Sequence, residues 1–341
     1  MLSFEELMIP VWKSDVIYDE SLTMVCKDGV CKAPLLFWPE EILSVTSADK
    51  TRTYEEGIDW IVKEREIILT PESNIFCFQE EDLVFEQELP GRSFKRLDGK
   101  YELFREGHFF HDRQISVTYR KKEGHLDIWP EPCKSKLPRT ITKLENREAT
   151  KILLYGDSIS AGSNSSAFTM ATPFLPTWGP LMAEKLSRHY QTEVGFINTS
   201  VGGMASNWGA ANASERVAVY EPDLAIIAFG MNDRVSGEQF LAWVKEIIRA
   251  IRDKSPHTEF ILCATTMPNR NLEGFLAYQE EYGEYLRTLT ETGIVVADFG
   301  KMQEELLKIK RFIDLTGNNV NHPNDFMIRC HAQLITEMLL N

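Results

Sequence analysis

The sequence predicts an α/β domain built on a parallel sheet, preceded by a β-rich domain of the sandwich or jelly-roll type. Three observations lead to this prediction. Five short runs rich in Ile, Val, Leu and Phe follow residue 150, and segments with helical periodicity lie between them. The first 128 residues instead show short apolar or alternating runs separated by turn signals. The first two patterns are typical of parallel strands covered by helices, and the third is typical of antiparallel sheets.

Residues 1–140 are predicted to form the β-rich domain. Turn signals such as Lys27-Asp28-Gly29 and Asp98-Gly99-Lys100 separate its short runs, which must bury their apolar sides against a second sheet. The runs are SLTMVC (21–26), WIV (60–62), EIILT (66–70), DLVFEQEL (82–89) and ISVTY (115–119). Prolines and charges interrupt this pattern after residue 128, and we place the linker at 141–150.

The α/β domain is predicted over residues 151–341. Its strands are expected at 151–155, 194–200, 223–229, 259–265 and 293–299, where the runs are continuously apolar. The clearest helix is expected at 237–252, with an apolar stripe behind a Ser236-x-x-Gln239 capping box. Ligands of open α/β sheets bind outside the carboxyl ends of the strands, so residues that follow these strands are candidates for a site.

Charge and hydropathy exclude several classes of function. The 341 residues include 37 Lys and Arg against 51 Asp and Glu, giving a net charge of −14. This is the wrong sign for neutralising phosphates, so neither nucleic acid nor an anionic membrane is an expected partner. No run approaches the roughly 18 apolar residues of a membrane span, and the first residues lack the features of a signal peptide. We therefore expect a cytoplasmic protein.

No metal or other cofactor is expected from the cysteine and histidine pattern. His108-x-x-His111 offers two possible ligands, but no third ligand follows at a recognisable spacing. The cysteines lack a Cys-x-x-Cys pair, which favours buried free thiols. The six are Cys26, Cys31, Cys77, Cys133, Cys263 and Cys330.

Aromatic residues permit two interpretations. Trp12, Trp38, Trp60 and Trp129 are expected mainly in the core of the β-rich domain, although such rings can also form a platform for sugars. Trp178 is expected either to line an acyl pocket or to pack against the helix that follows it.

Four motifs place polar groups or glycines where predicted strands end or the last helix begins. Ser158 follows the first strand in Gly-Asp-Ser, where a glycine permits a tight turn. Gly203 follows the second strand in Val-Gly-Gly-Met, and Asn232 follows the third in Gly-Met-Asn-Asp; both offer N–H donors. His322 precedes Pro323, which suits the first turn of a helix. Taken singly, each motif also fits a turn or a helix cap.

Together and in this order, the four motifs resemble those of the SGNH hydrolases, also called the GDSL family of esterases, over residues 151–341. The resemblance implies that Ser158 is the nucleophile and His322 the base, with no cofactor. It also implies an oxyanion hole formed by Ser158, Gly203 and Asn232. The competing Gly-x-Ser-x-Gly elbow of α/β-hydrolases is absent, because Ser160 stands at the second glycine position.

The chain departs from the family pattern at Asn319. The family usually has an aspartate three residues before the histidine, where this sequence has Asn319. We therefore expect a Ser158-His322 dyad in which Asn319 or a backbone carbonyl orients the imidazole. The alternative is a triad with another carboxylate, of which Asp314 is the nearest upstream, while Asp325 is expected to cap the last helix.

An N-terminal β-sandwich joined to this type of hydrolase domain is similar to carbohydrate acetylesterases. The resemblance implies a serine esterase that removes acetyl groups from a carbohydrate or glycoconjugate through an acyl-enzyme. The alternatives are a longer-chain lipase, lysophospholipase or thioesterase, and a catalytically silent carbohydrate-binding protein. Since all four motifs follow residue 151, we expect the β-rich domain to modulate substrate access rather than chemistry.

Overall fold

The N-terminal part of the molecule is built from short strands, as the sequence predicts. The computed structural model describes residues 2–341. This part contains helices α1 Phe4–Leu7 and α2 Glu80–Leu83. Its strands are β1 Val16–Thr23, β2 Val25–Lys27, β3 Val30–Pro34, β4 Trp38–Ser47, β5 Trp60–Lys63, β6 Glu66–Leu69, β7 Phe78–Gln79, β8 Val84–Phe85, β9 Ser93–Lys95, β10 Tyr101–Leu103 and β11 Gln114–Glu123.

These strands form three mainly antiparallel sheets. Their orders are β1-β11-β4, β5-β6-β3-β2-β7 and β8-β10-β9. Val45 and Val117 from the first sheet share one hydrophobic cluster with Ala33 and Ile67 from the second. The two larger sheets therefore bury their apolar sides in a common core, which confirms the β-rich prediction.

The C-terminal part contains a five-stranded parallel sheet with the order β13-β12-β14-β15-β16. This is the order of flavodoxin-like folds, in which the first strand lies beside the third. All five predicted strands are confirmed, as β12 Thr150–Gly156, β13 Val194–Asn198, β14 Leu224–Ala228, β15 Glu259–Ala264 and β16 Ile294–Asp298. Helix α3 Pro138–Glu145 precedes the sheet, and the later helices are α4 Ser158–Ala161, α5 Trp178–Tyr190, α6 Ser206–Arg216, α7 Gly237–Arg252, α8 Gln279–Arg287, α9 Phe299–Leu307 and α10 Asp325–Leu340.

Helices cover both faces of the parallel sheet. On β12, Ile152 and Leu154 join a hydrophobic cluster with residues of α5, α9 and α10, whereas Leu153 and Tyr155 join a second cluster with α6, α7 and α8. Alternate side chains of a strand point to opposite faces, so a strand between two helical layers must be apolar throughout. This requirement explains the continuous apolar runs.

The two parts of the chain share one continuous core. The cluster that contains Val117 of β11 also contains Ile152 of β12 and Leu334 of α10. Lys310 and Glu20 form an ion pair across the junction at 2.6 Å, and both side chains are fully buried. Contacts between β1 and the C-terminal part are therefore both apolar and ionic.

Some sequence expectations are confirmed locally and others need correction. Helix α7 spans the predicted 237–252, and Ser236 accepts a hydrogen bond from Gln239 N. The run at 82–89 is wrong as a strand, because Asp82 accepts from Gln79 N and caps the single turn of α2, leaving only β8 extended. Helix α10 begins at Asp325, two residues after Pro323, with Asn324 as its N-cap, so Pro323 lies outside the first helical turn.

The tryptophans divide between core and surface. Trp12 and Trp60 are buried, as expected, but Trp38 and Trp129 are 40% and 79% exposed. Trp178 is fully buried, donates to Ile159 O and packs edge-on against Phe299. Neither interpretation describes it, because Trp178 is itself the first residue of helix α5 and its ring packs in the core against α9. Within residues 2–341, no helix combines the length and the apolar character needed to cross a membrane.

Candidate active site

The candidate nucleophile lies at a sharp turn between β12 and α4. β12 ends at Gly156, where a Cβ would lie only 2.2 Å from Ala228 O of the neighbouring β14. Asp157 caps α4 by accepting from Ile159 N, and Ser158 is the first residue of that helix. The N–H groups of a first helical turn have no acceptor within the helix. Ser158 therefore presents both its hydroxyl and a backbone N–H without an intrahelical acceptor at the carboxyl edge of the sheet.

His322 lies against this serine. Its Nε2 is 2.9 Å from Ser158 Oγ. The loop that carries the histidine is held by Asn318, whose Oδ1 accepts from the backbone N–H groups of Val320, Asn321 and His322. Since these bonds fix the backbone, the position of the imidazole is set by the loop rather than by α10.

The other ring nitrogen of His322 faces two oxygen atoms that the sequence did not indicate. Nδ1 lies 2.5 Å from Asn164 Oδ1 and 3.6 Å from Glu106 Oε2. Asn164 donates its Nδ2 to Gly107 O at 2.8 Å, an arrangement that points its carbonyl oxygen towards the ring. An oxygen acceptor at Nδ1 favours the tautomer with its proton there, which leaves Nε2 free to accept from Ser158.

The expected role of Asn319 needs correction. Its Nδ2 donates to Glu102 Oε1 and Leu103 O, and its side chain is buried among residues of the β-rich part. It therefore does not orient the imidazole. In place of the family's aspartate, Asn164 Oδ1 and Glu106 Oε2 face Nδ1 of His322.

Neither alternative carboxylate faces the histidine. Asp314 is paired with Arg311 and accepts from Thr23 N, and the charge of Arg311 together with these hydrogen bonds lowers its pKa although burial opposes this. Asp325 accepts from Ser166 N, while Asn324 caps the last helix.

The predicted oxyanion donors line the same cleft as Ser158. Gly203 adopts a φ of 78°, and open space surrounds the position of a Cβ there. Asn232 donates one Nδ2 hydrogen to Met204 O at 3.1 Å, which holds the amide in place and leaves a second hydrogen. The next residue, Asp233, accepts from Ser206 N and Oγ and joins this strand end to α6.

Two buried carboxyl groups lie beneath the site. Complete burial raises the pKa of Asp157 to about 7. The hydrogen bond from Ile159 N and the charge of His322 lower this pKa, but burial outweighs them. Burial likewise raises the pKa of Asp233, and the bonds from Ser206 oppose it. The Oδ2 atom of Asp157 has no hydrogen-bond partner within the described residues.

The cleft above Ser158 has a volume of about 600 Å³ and receives residues from both parts of the chain. Glu106 and Gly107 come from the β-rich part, as do two phenylalanines. Four aromatic rings line the cleft, namely Phe94, Phe104, Phe168 and Phe275. Phe94 packs edge-on against Phe104 and Phe275, so these three rings form one wall.

Residues Asn164 and Glu106 were missed by sequence reasoning. Asn164 follows Ser158 within the same loop, so its closeness to the motif was a usable signal. Glu106 had no comparable signal, because only the fold brings the segment after β10 to the histidine loop. His108 and His111 are engaged elsewhere, with Asp112 and with Thr172 O.

The fold and the four motifs define a flavodoxin-like hydrolase of the SGNH type. Residues 154–326 match the GDSL-like Lipase/Acylhydrolase family, and the chain belongs to that family. Over 92 residues it is 32% identical to an arylesterase of Vibrio mimicus, a match that covers 27% of this chain and 42% of the arylesterase. The chain thus matches less than half the length of that relative.

Solved structures share the fold. A two-domain esterase (CEX) active on acetylated mannans, co-crystallized with mannopentaose, aligns with a TM-score of 0.50 and 24% identity over 62% of this chain and 54% of that one. The acetylxylan esterase Axe2 from Geobacillus stearothermophilus aligns with a TM-score of 0.46 and 17% identity over 56% of this chain and 94% of that one.

Proposed function

We propose that the protein is a serine esterase that hydrolyses carboxylic esters through an acyl-enzyme. The observation that carries this proposal is the 2.9 Å contact between Ser158 Oγ and His322 Nε2 at the floor of an open cleft. A serine hydroxyl is a weak nucleophile until an adjacent base accepts its proton. Membership of the acylhydrolase family supports the same chemistry.

The proposed reaction has two steps. His322 takes the proton of Ser158 as Oγ attacks the ester carbonyl, and then returns that proton to the departing alcohol. His322 next activates a water molecule that attacks the acyl-enzyme, and the acid is released as Ser158 recovers its proton. In both steps the carbonyl oxygen becomes negative, and the N–H groups of Ser158, Gly203 and Asn232 are proposed to stabilise it.

The proposed substrate is an acetylated carbohydrate or glycoconjugate. The cleft has room for a saccharide unit, and the exposed faces of aromatic side chains can stack on the apolar side of a sugar ring. Glu106 and Asn321 add polar groups for hydroxyls. A second candidate is an ester with a longer acyl chain, because the same phenylalanines and Val320 also suit an apolar group.

A chain-length series of p-nitrophenyl esters, together with acetate release from acetylated oligosaccharides, tests these proposals. The esterase proposal predicts turnover by the wild type and loss of turnover in Ser158→Ala. Ser214→Ala, a half-buried serine of α6, is the matched control and should keep full activity. A steep preference for acetate supports deacetylation, whereas octanoate preference supports the second candidate. Full activity in Ser158→Ala would contradict the esterase proposal.

A further inference from the structure

The β-rich part of the chain places a carboxylate beside the candidate base. Glu106 lies in the segment after β10, and its Oε2 is 3.6 Å from His322 Nδ1. Asn318, which holds the histidine loop, donates Nδ2 to Glu106 Oε1 at 3.4 Å. The carboxylate is thus joined both to the ring and to the loop that positions it.

We propose that two residues divide the role that a single aspartate has in most catalytic triads. Asn164 orients the imidazole through its amide oxygen, and Glu106 supplies the negative charge that stabilises the imidazolium. Both are positioning residues, since they act through His322. The inference rests on the proposed esterase function and assigns part of that machinery to the β-rich region.

The chemistry of the two side chains explains the division. An amide oxygen accepts the Nδ1–H bond, but it carries no charge to balance the proton that Nε2 takes from Ser158. A carboxylate carries that charge. The Glu106 side chain is 53% exposed, so solvent screens the 3.6 Å pair in part, but the largely buried imidazole keeps the attraction favourable. Burial would raise the pKa of Glu106, but its interaction with His322 and hydrogen bonds from Asn318 and Asn164 outweigh this and lower it.

Other carboxyl groups near the site do not offer the same contact. Glu102 is held by Arg96 and Asn319. Asp314 is paired with Arg311, and Asp325 accepts from Ser166 N. Asp157 interacts with the charge of His322, but it lies beneath Ser158 and binds Ile159 N. Among residues 2–341, Glu106 is the carboxylate that pairs with the imidazole of His322.

The test uses Glu106→Gln in the full-length protein. The amide keeps the shape of the side chain but removes its charge, so kcat should fall about 10-fold to 100-fold while KM changes little. This loss is smaller than the ~10⁴-fold cost of disabling a sole triad aspartate, because Asn164 still orients the ring. The acidic limb of the pH profile of kcat/KM should move to lower pH, since the imidazolium loses a stabilising charge.

Two further variants make the result decisive. Glu88→Gln removes an equal charge at an exposed position of the β-rich part and should leave both rate and profile unchanged. Glu106→Ala should regain activity when formate is added, because a small anion can replace the carboxylate. An unchanged rate and profile in Glu106→Gln, with Ser158→Ala inactive, would overturn the role of Glu106 and leave the esterase proposal standing. Absence of ester turnover in the wild type would instead contradict the esterase proposal.

A second inference concerns three cysteines that the sequence shows as scattered. Cys26 and Cys31 are opposite each other in the β2–β3 hairpin, whose turn residues Asp28 and Gly29 both have positive φ. Cys77 precedes β7, which pairs with β2 in parallel. The three Sγ atoms lie within 4.8 Å of one another, and we call this group the thiol cluster.

The geometry points to the thiol cluster as a binding site for one soft, thiophilic cation, of which Cu(I) is the representative. Thiolates select soft ions, and three sulfur ligands suit the low coordination numbers of Cu(I) better than the four ligands of a structural zinc site.

Anaerobic Cu(I) titration of the reduced protein against a chromophoric chelator tests this second inference. One equivalent should bind to the wild type and to Cys133→Ser, whose buried sulfur lies outside the cluster. Cys31→Ser should bind at least about 100-fold more weakly. Equal binding by all three proteins, or no stoichiometric binding, would overturn the metal site.

Discussion

Asn232 is the side-chain donor among the proposed oxyanion groups. Its amide is held by Met204 O, so it can meet the developing charge without reorganising. Asn232→Ala should therefore lower kcat about 100-fold to 1000-fold with a smaller change in KM. Steady-state kinetics on a p-nitrophenyl ester would measure both constants. Asn212→Ala is the control, because Asn212 makes a similar bond to Trp208 O within α6; equal effects of the two variants would argue against the oxyanion role.

The raised pKa of Asp157 should make the free energy of unfolding depend on pH. Its pKa of about 7, against an ordinary value of 3.8, means that the folded protein binds a proton that the unfolded chain releases in this interval. Stability from this group therefore falls as pH rises from about 4 to about 7, by up to roughly 4 kcal/mol. Asn replaces the cap without titrating, so Asp157→Asn should become progressively more stable than the wild type between pH 4.5 and 8.

Urea denaturation of both proteins at several pH values measures this difference. Other titrating groups are common to the two chains, so the difference isolates Asp157. Parallel stability curves across the interval would contradict the raised pKa.

At the scale of single elements, Gly156 is required by the close approach of β12 and β14. A Cβ at this position would lie 2.2 Å from Ala228 O and 2.4 Å from Ser160 Oγ, and the first of these atoms belongs to the neighbouring strand. Gly156→Ala should destabilise the protein by about 1–3 kcal/mol or more. Gly195→Ala on β13 is the matched control, since its nearest atom is 4.0 Å away. Urea midpoints that do not differ between the two variants would refute this packing argument.

The elements differ in how well the sequence predicts them, for a physical reason. Strands buried on both faces must be apolar along their length, so the central strands β12, β14 and β15 produce unbroken runs. The segment at 82–89 alternates in the same way as a strand, but local capping by Asp82 makes its first two residues helical. Short edge segments of this kind depend on single side-chain bonds that periodicity does not record.

The candidate site shows the same contrast. Ser158, Gly203, Asn232 and His322 belong to short motifs. The placement of the first three follows from the carboxyl ends of adjacent strands, whereas His322 lies in the loop before α10. The partners of His322 Nδ1 do not form a motif. Asn164 is 158 residues from the histidine in the sequence, and Glu106 lies after β10 in the β-rich part. Only the packing of the β-rich part against the parallel-sheet part brings the Glu106 carboxylate to the ring, and the same packing supplies Gly107 O, which holds the Asn164 amide.

At the scale of the whole molecule, the buried pair Glu20–Lys310 ties the two parts together. Tyr119 Oη and Leu36 N also donate to Glu20, so the carboxylate is fully hydrogen-bonded. Glu20→Ala would leave the Lys310 ammonium buried without a counter-charge and with Pro34 O as its remaining acceptor, and we expect a loss of about 3–5 kcal/mol. Glu80→Ala, which breaks the exposed pair with Lys27, should cost less than about 1 kcal/mol.

Because the core is continuous, unfolding should occur in one transition. For each protein, far-ultraviolet circular dichroism and tryptophan fluorescence should give the same urea midpoint. This shared midpoint should be lower in Glu20→Ala than in the wild type. Two separate transitions would show that the β-rich part and the parallel-sheet part fold independently. In that case the contribution of Glu106 to the site would depend on docking of two stable units.

The central claim is that Ser158 is a nucleophile activated by His322, and covalent trapping tests it most directly. A fluorophosphonate should add once to the wild-type chain, with peptide mapping placing the adduct on Ser158. Labelling should be absent in Ser158→Ala and slowed by several orders of magnitude in His322→Ala, because the two residues act as a unit. An adduct on another residue, or undiminished labelling of Ser158→Ala, would contradict the account.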